Sequence, residues 1–277
     1  MVALVFPFVA CERAGPSIDW ANPEQRVVGR MGVVECVRKQ GRVGCRGSNE
    51  RGLLGNGALE NSSKDWTTIR LPKSVSEIAL APNDAFACGL TAQGELWCWG
   101  LNVASVLGEV PPLFDGEDVA RSVTSPQQFQ GVQGIAEMDV TVARVCVRSH
   151  EGGVYCWGQN AYGEIKDPRV DPRFVVPEPQ KTALPTRARE LHAFSAQTCA
   201  VLVNDELYCW GGSVPSAQGP IPAFAPTKVA SGVTGVSISK DEVACAVTAR
   251  GNVCWPILDA SVRGRFQEPH VRREPGP

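Results

Sequence analysis

Cysteine is the residue type in this chain whose spacing best allows chemistry. Ten of the eleven cysteines fall into five pairs, in which the second follows the first by nine or ten residues. The pairs are Cys36–Cys45, Cys88–Cys98, Cys146–Cys156, Cys199–Cys209 and Cys245–Cys254. Thiols at this separation form a disulfide when they lie opposite each other on a hairpin. The alternative is that they stay reduced, as small buried apolar side chains.

The residues between paired cysteines are typical of a β-hairpin. After Cys88 a loop of three residues, Ala92-Gln93-Gly94, places a glycine where a left-handed residue is needed. Gly152 holds the same place in the third copy and Asp205 in the fourth, since aspartate tolerates that conformation. The first copy is one residue shorter and predicts a two-residue turn at Gln40-Gly41.

This register predicts which cysteines face each other. Counting back from the loop places the first four pairs at directly opposed, non-hydrogen-bonded positions, where side chains lie closest. Within-hairpin disulfides are therefore expected. For Cys245–Cys254 the missing residue is assigned to a strand, so that register is expected to slip by one.

The copies recur about every fifty residues, which is typical of a repeat architecture. Each hairpin follows an extended stretch opened by proline, and one strand is predicted in each stretch. Examples are Pro72–Ala81, Pro126–Val140 and Pro226–Ser239. After Trp-Gly comes an Asn-x-x-Gly turn. About four short strands per repeat predict a propeller blade.

Cys88–Asn102 and Cys146–Gly163 carry the string C-[AG]-L-x3-G-x-[LV]-x-C-W-G-x-N-x2-G best, and Cys36–Gly55 also fits it. The string resembles the repeat of the regulator-of-chromosome-condensation family, and the resemblance extends from about Pro23 to Trp255. It implies an all-β propeller, commonly of about seven blades. With five hairpins we expect about five four-stranded repeats, in a smaller or incomplete ring.

The N-terminus resembles a bacterial lipoprotein export signal. Met1–Ala10 is apolar, and Phe8-Val9-Ala10-Cys11 resembles a lipobox, although Phe8 replaces the usual leucine and no positive charge precedes it. Cleavage would leave a lipidated Cys11, which accounts for the odd cysteine. The alternative is a hydrophobic strand with a free thiol. We therefore expect a signal at 1–11, a leader at 12–22, the propeller at 23–260 and a tail at 261–277.

Export agrees with disulfides, because paired cysteines persist in oxidising compartments such as the periplasm or cell surface. A net charge of −2 gives no basic field for nucleic acid. Neither a C-x2-C pair for zinc nor a hydrolase or phosphate-binding motif occurs. His150 is predicted at a hairpin tip, His192 in a strand, and His270 lies apart. No cofactor or metal is expected.

Recurring tryptophans are expected to pack in the core rather than to form a sugar platform; they are Trp99, Trp157, Trp210 and Trp255. Two proline-rich insertions, Glu109–Gln130 and Glu164–Arg189, follow the Trp-Gly turns and are predicted to emerge on one face. Loops on a rigid scaffold commonly bind partners. The candidate contact residues are Asp115, Glu117, Asp118, Arg169, Asp171, Arg173 and Phe174. The acidic cluster Asp115-Gly116-Glu117-Asp118 could bind calcium, but it lacks the alternating order of a calcium loop and is expected to be a solvated loop.

These observations favour an exported, non-enzymatic scaffold that binds a macromolecule, most naturally a protein, and touches the membrane only through Cys11. Two alternatives remain. The family resemblance implies guanine-nucleotide exchange, although no stretch matches an exchange wedge. A propeller enzyme would need carboxylates converging at the central channel. The candidates for that role are Glu35, Glu77, Glu137 and Asp241.

Overall fold

A computed structural model describes residues 18–29, 32–59, 62–108, 122–167, 171, 173–194, 196–214, 221–238 and 243–256. The regular structure of these residues is antiparallel sheet, apart from one 3-10 turn at Val103–Ser105. Within these ranges, no helix has the length and apolar character needed to cross a membrane.

The strands form consecutive sheets, or blades, and the strands of a blade pair in chain order. Blade 1 contains β1 (Gln25–Val28), β2 (Val34–Lys39), β3 (Arg42–Gly47) and β4 (Ser63–Thr68). Blade 2 contains β5 (Val75–Leu80), β6 (Phe86–Thr91), β7 (Leu96–Leu101) and β8 (Ser122–Phe129). Blade 3 contains β9 (Ile135–Val140), β10 (Arg144–Ser149), β11 (Val154–Gln159) and β12 (Val175–Lys181).

Blade 4 contains β13 (Ala188–Ala193), β14 (Thr198–Leu202), β15 (Glu206–Trp210) and β18 (Thr227–Ser231), with the ribbon β16 (Ser213–Val214) and β17 (Ile221–Pro222) inserted. Blade 5 contains β19 (Val233–Ile238), β20 (Val243–Thr248) and β21 (Val253–Pro256). The predicted all-β array of about five repeats is confirmed. Over the described residues the fifth blade has three strands rather than the expected four.

The proline-rich stretches divide differently from the prediction. Pro72–Ala81 holds one strand, β5, as expected, whereas Pro126–Val140 and Pro226–Ser239 each span two strands. In both, the fourth strand of one blade is followed by the first strand of the next. Pro126 lies in β8, at the outer edge of its sheet, where a missing backbone N–H interrupts no ladder. The single-strand assignment was therefore wrong for these two stretches.

The hairpins have the predicted turns. Gln40 and Gly41 have φ values of 51° and 70°, and Gly94, Gly152 and Asp205 also have positive φ. A Cβ on Gly94 would lie 2.6 Å from the backbone nitrogen of Ile135, because this tip packs against the start of blade 3. Glycine at this position therefore serves both the turn and the contact between blades.

The cysteines of each pair are directly opposed and bonded in all five hairpins, with Cα–Cα separations of 4.0 to 4.2 Å. Cys88 faces Cys98, and the first, third and fourth pairs share that register. Cys245 also faces Cys254 directly. The predicted slip was therefore wrong: the residue is missing from the tip, so the strands keep their register.

Each blade has a leading face, turned to the preceding blade, and a trailing face, turned to the following one. The disulfides lie on the trailing faces: Cys36 and Cys45 pack with Ile78, Ala87 and Trp99 of blade 2. The tryptophan after the second cysteine lies on the leading face and donates its indole N–H across the seam. The acceptors are the carbonyls of Leu53 for Trp99, Val106 for Trp157 and Glu164 for Trp210.

The leading face of blade 1 is charged at positions that hold uncharged residues in the other blades. In the register of the paired strands, Arg46 of blade 1 is equivalent to Trp99 of blade 2. Glu35 is likewise equivalent to Ala87, and Arg26 to Ile78. Glu35 bonds both arginines, with 2.8 Å from Arg46 Nε to its carboxylate, and Arg46 lies 4.5 Å over the ring of Trp66. Among the described residues, no core cluster joins blade 5 to blade 1. Such a polar terminal repeat caps a stacked array.

Candidate functional site

Antiparallel order places two sets of connections at one end of blades 1 to 4, here called the loop end. These are the turns between the first and second strands and the long loops between the third and fourth strands. The hairpin tips and the links between blades lie at the opposite tip end. The described part of Glu164–Arg189 that connects β11 and β12 lies at the loop end, and Val175–Lys181 within this insertion is strand β12. In Glu109–Gln130 residues 122–129 are strand β8, and residues 109–121 lie outside the described residues, so the predicted shared face stays a prediction.

Exposed apolar side chains concentrate at the loop end. Val28 and Val33 flank the first turn of blade 1, and Leu59 lies in its long loop. Val142 and Phe174 occupy the matching connections of blade 3, and Phe174 is 63% exposed. The remaining large exposed apolar residue of the described chain, Val203, lies at the tip end. Exposed apolar side chains on one end of a rigid scaffold are typical of an interaction surface.

The long loop of blade 3 holds Phe174 outward on a braced backbone. Asn160 anchors the loop: its N–H donates to the carbonyl of Phe174 at 2.8 Å, and its side-chain oxygen accepts from Ile165 N at 2.9 Å. Asp171 Oδ2 accepts from Arg173 Nη2 at 2.9 Å and from Lys166 Nζ at 3.1 Å. Arg173 and Lys166 hold the pKa of Asp171 well below its usual range. The loop thus presents an aromatic ring beside a charged cluster.

The structure brings together three of the predicted contact residues, namely Asp171, Arg173 and Phe174. The others, Asp115, Glu117, Asp118 and Arg169, lie outside the described residues, as do Cys11 and Asp241. His150 is exposed at a hairpin tip and His192 lies in β13, as predicted. The four tryptophans are buried, at 0% to 2% exposure, which confirms core packing.

Carboxylates also line the first strands of neighbouring blades. Register relative to the cysteines places Gln25, Glu77, Glu137 and Glu190 at one equivalent position of β1, β5, β9 and β13. These strands pack against one another around the axis of the array. Four carboxylates were candidates for an enzyme site at the central channel. Of these, Glu77 and Glu137 therefore converge. Glu35 does not, since it lies in the charged cap of blade 1.

Two members of this set bind the backbone of the next blade. Gln25 donates to the carbonyl of Ile78 at 2.7 Å and accepts from its N–H at 2.8 Å. Glu137 accepts from Leu191 N at 3.3 Å and from Arg148 Nε at 2.7 Å. Asp139, two residues along β9, accepts from Ala193 N at 2.7 Å. These side chains tie β1 to β5 and β9 to β13.

Burial raises the pKa values of two carboxyls on these first strands, Glu77 and Asp139. It raises the pKa of Glu77 to about 7, and the charges of Glu137 and Asp139 add to the effect. Burial likewise raises the pKa of Asp139 to about 6, against the opposing hydrogen bond from Ala193 N–H. Both carboxyls are therefore easier to protonate in the fold than in the unfolded chain.

The Glu77→Gln variant is expected to be more stable than the parent at pH 8 and nearly equal at pH 5. The folded pKa lies above the unfolded value, so ionisation of Glu77 costs folding energy as pH rises from about 4.5 to about 7. With partial exposure discounted, the gain at pH 8 is about 1 kcal/mol. Urea unfolding at both pH values measures it, and exposed Glu151→Gln is the control. An equal effect of Glu77→Gln at both pH values would contradict the assignment.

A buried ion pair escaped the sequence analysis. Arg144, at the start of β10, and Glu164, in the long loop of blade 3, are each 1% exposed, with 2.9 Å between Nη1 and Oε1. Arg144 Nη2 also donates to the carbonyls of Phe194 and Gln197 at 2.7 and 3.0 Å. Burial raises the pKa of Glu164, and the guanidinium opposes that rise. The pair braces the loop that carries Phe174 against blade 4.

Comparison with known proteins supports the repeat assignment. Residues 78–104 match the family model described as Regulator of chromosome condensation (RCC1) repeat. The human E3 ubiquitin-protein ligase HERC2 is 26% identical over 198 residues, which is 69% of this chain and 4% of that protein. The match thus covers a small part of this relative, and its ligase activity does not transfer to the chain.

Solved structures share the fold. Human WBSCR16 aligns with a TM-score of 0.65 and 17% identity, over 84% of this chain and 61% of its own. Prp20p of Saccharomyces cerevisiae aligns with a TM-score of 0.60 and 19% identity, over 84% of this chain and 54% of its own. The chain therefore has an RCC1-like propeller fold and spans about half to three fifths of these structures. The structure of Prp20p was reported together with its binding properties to Gsp1p and histones.

Proposed function

We propose that this RCC1-like array is a binding scaffold that holds a protein partner on its loop end and performs no chemistry of its own. The observation that carries the proposal is the concentration of exposed apolar side chains at that end, above all Phe174 on its braced loop. Aromatic side chains on rigid supports are typical anchors of protein interfaces. That Prp20p, with the same fold, binds proteins supports this class of partner.

The test compares the two ends of the array. The purified chain, immobilised, is used to capture partners from the producing cell, and the affinity of the strongest partner is then measured. We expect Phe174→Ser combined with Val142→Ser to weaken binding by about 30-fold, as the loss of one anchor of about 2 kcal/mol would. Val203→Ser, which removes an exposed apolar residue at the tip end, is the matched control.

Both variants should keep the parent's melting temperature, because all three side chains are exposed. Binding that survives the double change, or that is lost equally in Val203→Ser, would place the interface elsewhere. Shortening the long loop of blade 3 around Asp171 should have the same effect as the double change.

The proposal includes export to the cell envelope with a lipid on Cys11. Its support is the lipobox-like sequence ending at Cys11 together with five disulfides, which persist in oxidising compartments. Labelling with a fatty-acid analogue should mark the parent and not Cys11→Ser. A label that persists in this variant would remove this part of the proposal without affecting the loop end.

A further inference from the structure

The disulfides differ in how the array covers them. In blades 1 to 4 the trailing face packs under the next blade, and all eight cysteines are 0% to 1% exposed. Cys199 and Cys209, for example, lie in one core cluster with Ala244, Ala246 and Trp255 of blade 5. A reagent in solution therefore reaches these four bonds only when neighbouring blades separate.

The fifth disulfide is exposed to solvent in part. Cys245 and Cys254 are both half-buried. Their neighbours on the same strands, Ala244, Ala246 and Trp255, are buried against blade 4 because they lie on the leading face. The two faces of one hairpin thus differ in cover: blade 4 closes the leading face, whereas no further blade of the described residues packs on the trailing face, where both cysteines are half-buried.

We propose that Cys245–Cys254 is a site of thiol–disulfide exchange, at which low-molecular-weight thiols react with the folded protein. The thiolate of the reductant attacks one Sγ, a mixed disulfide forms, and the electron pair of the broken S–S bond leaves on the other Sγ, which takes a proton from water. A second thiol resolves the mixed disulfide. Two reductant thiols are oxidised to a disulfide, and Cys245 and Cys254 become thiols.

Reduction at this site reaches the core of blade 4. Trp255, next to Cys254, covers the Cys199–Cys209 cluster and donates its indole N–H to Gln197 Oε1 at 3.1 Å. Without the bond, β21 remains joined to β20 by its ladder hydrogen bonds and the packing of Trp255. Loss of a cross-link restores conformational entropy to the opened state, so β21 is expected to leave the sheet more often.

The experiment treats the full chain with dithiothreitol under native conditions for graded times, and quenches with N-ethylmaleimide. Mass spectrometry of tryptic peptides then gives the alkylated fraction of each cysteine. Arg250 lies between Cys245 and Cys254, so trypsin places them on separate peptides. We expect both to be labelled about tenfold or more faster than the other paired cysteines, because exchange follows access.

Simultaneous reduction of all five pairs, earlier reduction of another pair, or no reduction before global unfolding would each overturn the proposal. A second measurement follows Trp255. Tryptophan emission should shift towards longer wavelength during the first reductive phase, and this phase should be absent from a Cys245→Ser, Cys254→Ser double variant. It should persist in a Cys88→Ser, Cys98→Ser double variant, and its loss there instead would also contradict the assignment.

Discussion

The Arg144→Met variant is expected to lose about 3–5 kcal/mol of unfolding free energy, because it leaves a carboxylate buried without its partner. Glu164 is 1% exposed and would have to be protonated or unpaired in the variant fold. The carbonyls of Phe194 and Gln197 would lose their donor as well. Urea unfolding at pH 7 measures the loss.

The controls separate burial from charge. Lys228→Met breaks the Lys228–Glu206 pair, whose lysine is 45% exposed, and should change the unfolding free energy little, because solvent screens a surface pair. A double variant, Arg144→Phe with Glu164→Leu, places at both positions the residue types that Phe86 and Leu53 supply elsewhere in the array. It should recover most of the loss. If Arg144→Met proves no less stable than Lys228→Met, the structural role given to the Arg144–Glu164 pair is wrong.

Replacing Trp157 by Ala is expected to cost about 3–5 kcal/mol, through a cavity at the seam of blades 2 and 3. Trp157 is 0% exposed, stacks on Phe129 at 4.2 Å between ring centroids, and donates to the carbonyl of Val106 at 2.8 Å. Thermal and urea unfolding both report the change.

The Trp157→Phe variant separates the two contributions. It keeps an aromatic ring against Phe129 but removes the indole N–H and part of the ring volume, so it should cost about 1–3 kcal/mol, less than Trp157→Ala. Equal losses in the Phe and Ala variants would mean that the stacked ring contributes little. A loss below about 1 kcal/mol in Trp157→Ala would show that the seam does not depend on this residue.

Local features of the repeat were predictable because turn chemistry and strand alternation are local. The left-handed positions of Gly94, Gly152 and Asp205 follow from loop length, and loop length sets which cysteines face each other. The error at Cys245–Cys254 arose from assigning a missing residue to a strand when the tip had absorbed it. The error at Pro126–Val140 arose because edge strands accept proline. Pro126 therefore lies inside the last strand of blade 2 and does not mark the start of blade 3.

The site was less predictable, because it depends on contacts between repeats. Phe174 was chosen for its loop, but its exposure and the bracing by Asn160 follow from the packed blade. A signal for the buried pair was present: Arg144 stands two residues before a first cysteine, where blades 1, 2 and 5 have Val34, Phe86 and Val243. Only the fold shows that Glu164 is the compensating charge.

The charged leading face of blade 1 also limits how copies of this chain meet. Among the described residues no core cluster joins blade 5 to blade 1. Two such end faces allow copies to stack, since the trailing face of blade 5 in one molecule would meet the leading face of blade 1 in another. Growth of that kind would bury Arg26, Glu35 and Arg46 against the half-buried Cys245–Cys254 bond. Removing those three charges from water costs several kcal/mol per ion. We therefore expect this charged face to oppose end-to-end stacking of copies of this chain.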